Sequence, residues 1–259
     1  MRRFFVEEIT PTTGCASLTG KEARYISKVL RMKKGEKLTI MDGKGQLFES
    51  TVKDLDYKEV KVRINKSISS PPPSPIEISL AQALIKSNSM DYLIQKLTEL
   101  GINSIRLFYS ERTVIKLKPG HLINKMDRWM DIMKSACRQC GRVTLPTLNP
   151  PLPFEEIIKD APDKDTLKIL LWENEEEVDL KGVLRSMGPL PHTLVMVGPE
   201  GGFTPNEINQ AREVGFQIIS LGGRILRTET AAVSLISIIQ YEWGDLNLGY
   251  GMRDVGFDT

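Results

Sequence analysis

The fold is decided by two stretches near the C-terminal end of the sequence, LVMVGPEGGFTPNEI at residues 194–208 and FQIISLGGRILRTETAA at residues 216–232. Each begins with a short apolar run, typical of a buried strand, which stops at glycine and continues into a helical pattern. Thr204–Glu207 has the sequence of a helix capping box, with proline at the first helical position. Because ligands of α/β folds bind where strands end, we expect the two glycine-bearing loops to line one pocket.

The same alternation of apolar runs and helical patterns begins upstream, at residue 76. The pattern predicts buried strands at Ile76–Leu84, Ser104–Tyr109 and Leu167–Trp172, and a closing apolar helix at Ala231–Trp243. Strands that alternate with helices indicate a parallel sheet covered on its faces, so the predicted fold class of this part is α/β.

Three local details accompany this prediction. The first helix of this part has Ser89 as a possible N-cap and Gly101 as its stop. The prolines of residues 146–153 predict an irregular crossing, and Phe154–Lys159 is a candidate for a short helix.

The first seventy residues have a different pattern. Arg24–Arg31 has helical spacing with basic residues off the apolar face, and residues 37–53 alternate around the turn sequence Asp42–Gly45, as in a hairpin. Short strands at close spacing predict a small β-barrel or sandwich. Four prolines within residues 69–75 favour an extended linker. We therefore predict a β domain at residues 1–70, a linker at 71–75, an α/β domain at 76–248 and a tail at 249–259.

Charge is distributed unevenly along the chain. The net charge is +2, but residues 1–40 contain nine Lys or Arg and four Asp or Glu. A basic N-terminal segment on a nearly neutral body suggests a polyanionic partner, with a solvated basic face as the alternative. No apolar run approaches the roughly 20 residues of a membrane helix, and the N-terminus lacks the apolar core of a signal peptide, so cytoplasmic residence is the default expectation.

Several familiar chemistries lack their motifs in this sequence. The first predicted strand of the α/β part is followed by Lys86–Ser87–Asn88, without the glycine fingerprint of a dinucleotide fold, and no P-loop is present. Two histidines, His121 and His192, give neither a compelling Ser-His-Asp set nor zinc spacing with the pair Cys137–Cys140. We expect no metal, and we interpret the two cysteines as small residues buried on one helical face.

The two glycine stretches also resemble a known family. GPEGGFTPNEI and LGGRILRTETAA are similar to the C-terminal signature of the RsmE-type methyltransferases of the SPOUT class, and the similarity extends to MRRFF, KVLRMKKGE, QKLTELG, ERT and CRQCGR. One departure is Arg24, at a position where family members often carry histidine. The resemblance covers essentially the whole chain.

This resemblance implies a fold, an activity and a set of partners. It implies a C-terminal SPOUT domain with a parallel sheet and a deep trefoil knot, a small PUA-like N-terminal β-barrel domain, and a homodimer. It also implies that S-adenosyl-L-methionine is used to methylate N3 of a uridine in 16S ribosomal RNA within the small ribosomal subunit, with no role for a membrane.

The resemblance further assigns residues. Those expected to contact S-adenosylmethionine are Leu171, Glu173, Val197, Gly198, Pro199, Gly201, Gly202, Leu221, Gly222, Ile225, Leu226 and Thr230. Those expected to contact RNA phosphates are Arg2, Arg3, Arg24, Lys28, Arg31, Arg138 and Arg142. Since the sequence shows no aromatic pair of the sort that stacks bases in an RRM, we expect contact with the RNA backbone.

Arg227 is our candidate for stabilising the uracil anion, and Glu200 or Glu229 is the candidate for accepting the N3 proton or for holding the arginine. A salt bridge between Arg227 and Glu229 that only fixes the loop is the structural alternative. Two functional alternatives remain open. One is a related SPOUT enzyme acting on tRNA or ribose 2′-OH, and the other is an RNA-binding assembly factor without catalysis.

Overall fold

The computed structural model describes residues 2–6, 9–10, 14–70, 72–161 and 165–247. Described residues up to Pro73, together with Cys137–Leu145, form one compact unit, and those of Ser74–Ala136 and from Pro146 onward form a second. The predicted tail at 249–259 lies outside the described residues, as do residue 248 and residue 71 of the predicted linker. The sequence-based division into consecutive segments does not anticipate that Cys137–Leu145 group with the first unit.

Within the described residues, the first unit contains a six-stranded sheet that curls into a half-barrel. Its strand order is β1–β4–β5–β6–β3–β2, with β1 and β4 parallel and the other neighbours antiparallel. Buried side chains on one face form its core, including Leu18, Ile40 and Val62. The strands are β1 (Arg3–Phe5), β2 (Ile9–Thr10), β3 (Cys15–Thr19), β4 (Lys37–Met41), β5 (Leu47–Leu55) and β6 (Glu59–Ile68).

The predicted hairpin is confirmed by the pairing of β4 with β5. Asp42 closes its turn, because one carboxylate oxygen accepts hydrogen bonds from the backbone N–H groups of Lys44 and Gln46 at 2.8 and 2.9 Å. An acidic side chain that satisfies turn backbone in this way is the physical basis of the turn sequence.

The basic helical pattern at residues 24–31 folds differently from a simple α-helix. A short helix α1 (Gly20–Arg24) continues into a wider, π-helical turn at Tyr25–Val29, in which Leu30 N–H donates to the carbonyl of Tyr25. Arg31 follows with a φ of 50°, an uncommon left-handed conformation for a residue other than glycine. The predicted helix is therefore confirmed in location, but most of the predicted stretch, Tyr25–Val29, has π-helical rather than α-helical hydrogen bonding.

Cys137 lies in a small apolar cluster of the first unit, with Phe5, Met41 and Leu47. Its side chain is fully buried, as predicted, whereas Cys140 is partly exposed. Burial raises the pKa of the Cys137 thiol from 9.0 to about 12, although nearby Arg142 opposes this shift. No cluster of His, Cys, Asp and Glu suited to a metal ion occurs among the residues that the structure describes.

The raised pKa of Cys137 predicts a loss of stability in alkali. The folded thiol holds its proton up to about pH 12 and the unfolded thiol only to pH 9.0, so its contribution is complete below pH 9.0. Above that pH the free energy of unfolding should fall by roughly 1.4 kcal/mol per pH unit. We expect Cys137→Ser to show a shallower fall in urea unfolding under reducing conditions. Equal slopes for the two proteins would contradict the assigned pKa.

The second unit is an all-parallel sheet covered by helices, as predicted. In the described part of the chain the strand order is β12–β10–β11–β7–β8–β9. Its strands are β7 (Glu77–Ala83), β8 (Ser104–Tyr109), β9 (Thr147–Pro153), β10 (Thr166–Leu171), β11 (His192–Val197) and β12 (Gln217–Ile219). The helices are α2 (Ser87–Glu99), α3 (Pro119–Cys140, which ends in the first unit), α4 (Phe154–Lys159), α5 (Leu180–Met187), α6 (Pro205–Glu213) and α7 (Thr228–Glu242).

Two local predictions for this unit are wrong. Residues 147–153 form the strand β9 and not an irregular crossing, because an edge strand tolerates proline where a central strand would lose ladder hydrogen bonds. Helix α2 begins at Ser87, so Ser89 lies inside the helix and is not its N-cap. The capping box of Thr204 and Glu207, in contrast, is confirmed with both reciprocal hydrogen bonds.

The register of the central strands aligns their carboxyl ends. Val197 at the end of β11 pairs with Leu171 at the end of β10 and with Gln82 of β7, and Leu171 also pairs with Ile219 at the end of β12. The loops that follow these strands therefore leave the sheet side by side. Within the described residues, no helix is long and apolar enough to cross a membrane.

Candidate active site

An open cleft of about 1000 Å³ lies at the aligned carboxyl ends of these strands. Four segments line it, each following a different strand: Lys86–Ser89 after β7, Trp172–Glu176 after β10, Gly198–Phe203 after β11 and Ser220–Thr228 after β12. The expectation that the two glycine loops line one pocket is confirmed. Strand β10 lies between β11 and β12, so Leu171 and the loop after it separate the two glycine loops.

Most of the residues predicted for the site line this cleft. Gly201 and Thr230 do not, although both adjoin lining residues. The predicted residues that line it are Leu171, Glu173, Val197, Gly198, Pro199, Glu200, Gly202, Leu221, Gly222, Ile225, Leu226, Arg227 and Glu229. The lining residues that were not among the predicted site residues are Lys86, Ser89, Trp172, Glu175, Glu176, Phe203, Ile219, Ser220, Gly223, Arg224, Thr228 and Ala231. All lie at or after the carboxyl ends of β7, β10, β11 or β12, and that position could have identified them.

The loop after β11 is fixed by a turn and by an aromatic cluster. Gly202 N–H donates to the carbonyl of Pro199 at 3.0 Å, and the Arg112 guanidinium donates to the carbonyl of Gly201 at 3.0 Å. Phe203 is buried, and its ring is 6.2 Å from that of Phe108 and 6.0 Å from that of Phe154, measured between centroids. Phe203 therefore anchors the end of the loop in the core, and Arg112 holds the loop backbone at Gly201.

A buried hydrogen-bond chain joins the two glycine loops. The hydroxyl of Thr228, the first residue of α7, donates to the carbonyl of Gly198 at 2.7 Å. The side-chain amide of Gln82 donates to that hydroxyl at 3.2 Å. Gln82 is fully buried, and its Oε1 has no hydrogen-bond partner among the described residues. These hydrogen bonds connect β7, the glycine loop after β11 and the start of α7, and they therefore fix the relative position of the two glycine loops.

The segment after β7 positions both candidate carboxylates. Lys86 N–H donates to Glu200 Oε1 at 3.1 Å, and the Ser89 hydroxyl donates to Glu229 Oε1 at 3.1 Å. Arg227 is exposed, and nothing in the described part of the chain hydrogen-bonds to its guanidinium or pairs with it. The alternative of a loop-fixing salt bridge from Arg227 to Glu229 is therefore not found, and the guanidinium is available to a ligand.

The loop after β10 is held by Glu175, which is buried. Its carboxylate accepts hydrogen bonds from Glu177 N–H at 3.0 Å and from the Arg212 guanidinium at 2.9 Å. The hydrogen bond from Glu177 N–H, together with Arg212, lowers the pKa of Glu175 despite the opposing effect of burial. This carboxylate therefore remains ionised at neutral pH and ties the loop to α6.

All seven residues predicted to contact RNA belong to the first unit. Arg2, Arg24, Lys28 and Arg31 are exposed, and Arg3 is partly buried. The guanidinium of Arg138 forms a salt bridge with Glu22, and Arg142 Nε donates to Thr144 Oγ1 at 3.1 Å. Residues from two distant parts of the sequence thus contribute to one basic unit, but Arg138 is already paired within it.

Comparison with known proteins identifies the family. A model of the RNA methyltransferase domain matches residues 72–240, and a model of the RNA methyltransferase PUA domain matches residues 18–65. The ribosomal RNA small subunit methyltransferase E of Buchnera aphidicola (Acyrthosiphon pisum) is 31% identical, with 94% of each chain covered. The chain belongs to the ribosomal RNA small subunit methyltransferase E (RsmE) family.

Two solved structures extend this likeness to three dimensions. The RsmE protein of Neisseria gonorrhoeae, bound to S-adenosyl methionine, is 33% identical with a TM-score of 0.84, covering 95% of this chain and 99% of the other. A Legionella pneumophila protein solved with the cofactor SAM is also 33% identical, with a TM-score of 0.86 and coverage of 94% and 98%. The RsmE-type resemblance is therefore confirmed, and the cleft lies wholly inside the matched methyltransferase domain.

Proposed function

We propose that this chain methylates N3 of a uridine in 16S ribosomal RNA of the small subunit, with S-adenosylmethionine as the methyl donor. One observation carries the proposal. In a chain of the RsmE family, Arg227 and two carboxylates share a cleft with the two glycine loops. A free guanidinium beside carboxylates is suited to proton removal from a weakly acidic N–H and to stabilisation of the anion that results.

The residues of the cleft fit S-adenosylmethionine on the chemistry of their side chains. Leucine, valine and isoleucine side chains provide apolar walls for an adenine ring. A Cβ built at Gly222 or Gly223 would meet no atom within 4 Å, so there is open space for a ligand beside these two glycines. The described lining holds the carboxylates of Glu173, Glu175, Glu176, Glu200 and Glu229, and the cations Lys86, Arg224 and Arg227. An excess of carboxylates favours a positively charged ligand. When bound, this donor supplies an electrophilic methyl group on a sulfonium centre.

Arg227 would act on the nucleobase. Its exposed, unpaired guanidinium can donate to a uracil carbonyl and so stabilise the negative charge that develops when N3 loses its proton. Because this arginine is the N-cap residue of α7, directly before Thr228, the buried hydrogen-bond chain fixes its backbone. The protein thus contributes positioning and charge stabilisation.

Glu200 and Glu229 are the two candidates for the proton acceptor. Each uses one carboxylate oxygen to bind the segment after β7, which leaves the other oxygen for a substrate. Single replacement by glutamine separates them, because the loss of the base leaves the reaction dependent on ionisation of the uridine itself. We expect one variant to have a low rate that rises with pH, and two variants with the wild-type pH profile would exclude both carboxylates.

We also propose the knot and the homodimer that the resemblance implies. Support for the knot comes from strand order: β12 lies at the sheet edge, whereas α7 returns to pack against β11 and α2, so residues 220–227 must cross the end of β10. Support for a dimer comes from Ile238 and Tyr241, which are exposed on α7. A traced crystal structure would test the knot, and a monomer in sedimentation equilibrium would argue against the dimer.

The experiment that tests the function uses a labelled methyl donor. We expect label to enter 16S RNA of small-subunit particles from cells that lack this activity, in preference to deproteinised RNA, with mass mapping to a nucleoside methylated at uracil N3. Label in tRNA or at ribose 2′-OH would instead favour a related SPOUT activity. RNA binding without any transfer or cofactor binding would favour a non-catalytic assembly factor. A ribosomal substrate would also place the protein in the cytoplasm.

A further inference from the structure

We propose that the first unit carries a base-stacking surface, formed by Tyr57, Lys28 and Lys58, which binds an unpaired base of the RNA substrate. This inference rests on the proposed function for the nature of the ligand. It adds a contact with a base to the phosphate contacts expected from sequence, and it assigns a role to an aromatic residue that sequence reasoning did not single out.

Tyr57 lies at the tip of the tight turn between β5 and β6. The turn is closed by a hydrogen bond of 2.8 Å from Asp56 N–H to the carbonyl of Glu59, and Asp56 Oδ1 also accepts from Lys58 N–H at 3.3 Å. Although the turn backbone is well fixed, the Tyr57 side chain remains 47% exposed. An aromatic ring displayed on a rigid turn loses little conformational freedom when a base stacks on it.

Two cations accompany the ring. The Nζ atoms of Lys28 and Lys58 each lie 5.5 Å from the ring centroid of Tyr57. This distance is near the outer limit of about 6 Å for a cation–π contact, so the contact is weak and either ammonium can move to a neighbouring phosphate. Lys28 comes from the π-helical turn, and the surface therefore joins two elements that are distant in sequence.

The π-helical turn itself contains features that the core does not require. Ile26 is buried, and the Tyr25 ring, although 44% exposed, lies 6.4 Å from that of the core residue Phe4, whereas Val29 is 65% exposed. The turn has a wide, π-helical hydrogen-bonding pattern, which is frequent at functional sites, and Arg31 follows it in a left-handed conformation. Exposed apolar side chains and strained backbone next to Lys28 are consistent with a binding surface.

Charge indicates the class of ligand. Arg24, Lys28 and Arg31 are exposed on or beside the π-helical turn, and Lys58 is exposed next to Tyr57. Of the acidic residues around Tyr57, Asp54 and Asp56 accept hydrogen bonds from backbone N–H groups at 3.0 and 3.3 Å, and Glu59 is engaged by the Ser17 hydroxyl at 2.8 Å and by Lys61 at 3.6 Å. A cationic surface with an exposed aromatic ring suits single-stranded RNA, because phosphates meet the cations while an unstacked base meets the ring. A duplex presents no free base face, and an acidic membrane would use the lysines without the ring.

The test measures binding of a fluorescent single-stranded RNA and of the same sequence as a duplex, by anisotropy and without cofactor. We expect Tyr57→Ala to weaken single-strand binding about tenfold or more, with little effect on the duplex and no change in the dependence of affinity on salt. Tyr57→Phe keeps the ring and should bind as the wild type. Lys28→Ala should reduce the salt slope by about 0.7. Lys53 is an exposed lysine of β5 that contacts no aromatic ring among the described residues, and Lys53→Ala should bind as the wild type.

Three results would overturn the proposal. The first is wild-type affinity for single-stranded RNA in Tyr57→Ala, in a variant whose thermal unfolding is unchanged. The second is an equal loss for single strand and duplex, and the third is stronger binding to phosphatidylserine vesicles than to RNA. Because these measurements need no methyl transfer, failure of the stacking surface leaves the labelled-donor assay to decide the proposed function separately.

Discussion

Replacement of Arg227 by alanine should reduce the rate of methyl transfer to RNA by about 10²- to 10³-fold, the loss expected when one preorganised donor to a developing anion is removed. The guanidinium lines the cleft and is unpaired within the described residues, so its removal leaves no buried partner without a hydrogen bond. Folding should therefore be preserved. Single-turnover transfer to small-subunit particles, with saturating donor, measures the effect.

The matched control for this variant is Arg224→Ala, which removes another exposed arginine from the same loop. We expect a loss of less than about tenfold for Arg224→Ala, and an intermediate rate for Arg227→Lys, which keeps the charge but not the planar pair of donors. Calorimetric binding of S-adenosylmethionine should stay close to wild type in Arg227→Ala. If Arg227→Ala transfers methyl at the wild-type rate, the assigned role is wrong.

Gly198→Ala should both destabilise the protein and weaken cofactor binding. A Cβ at this position would lie 3.0 Å from Cε2 and 3.2 Å from Cδ2 of Phe203. That ring cannot yield easily, because it is buried and packed against Phe108 and Phe154. We expect the free energy of unfolding to fall by about 1–3 kcal/mol, the usual cost of overpacking. Urea unfolding without ligand and calorimetry with S-adenosylmethionine provide the two measurements.

Gly223→Ala is the matched control, because it adds the same methyl group to the other glycine loop at a position with open space. A Cβ at Gly223 would meet no atom within 4 Å. Its unfolding free energy should change by less than about 0.5 kcal/mol, as for most surface substitutions. If Gly198→Ala unfolds at the same urea concentration as the wild type, then Phe203 moves freely and does not anchor the loop.

Local patterns predicted several elements correctly because their signals lie close together in sequence. The capping box of Thr204 and Glu207, the hairpin closed by Asp42 and the short helix at Phe154–Lys159 each depend on residues only a few positions apart. The shared cleft was also predictable, since parallel strands place all their carboxyl ends on the same side of the sheet. The edge strand β9 was not, because its prolines contradict strand propensity unless its edge position is known.

The contacts that complete the site could not be predicted from local sequence. Gln82 and Thr228 are 146 positions apart, Lys86 and Glu200 are 114 apart, and Ser89 and Glu229 are 140 apart. Each pairing follows from strand register, which no local pattern specifies. Ser89 illustrates this limit, because its sequence context suggested a helix cap whereas its hydroxyl binds Glu229.

The aligned ends of β10, β11 and β12 restrict how sequences of this kind can vary in length. Deletion of one residue within β11 would shift Val197 by about 3.3 Å along the sheet and turn its side chain to the opposite face. Insertions and deletions should therefore be rare within these strands. Insertions and deletions should instead accumulate at the amino-terminal ends of the strands, where residues 188–191 connect α5 to the start of β11.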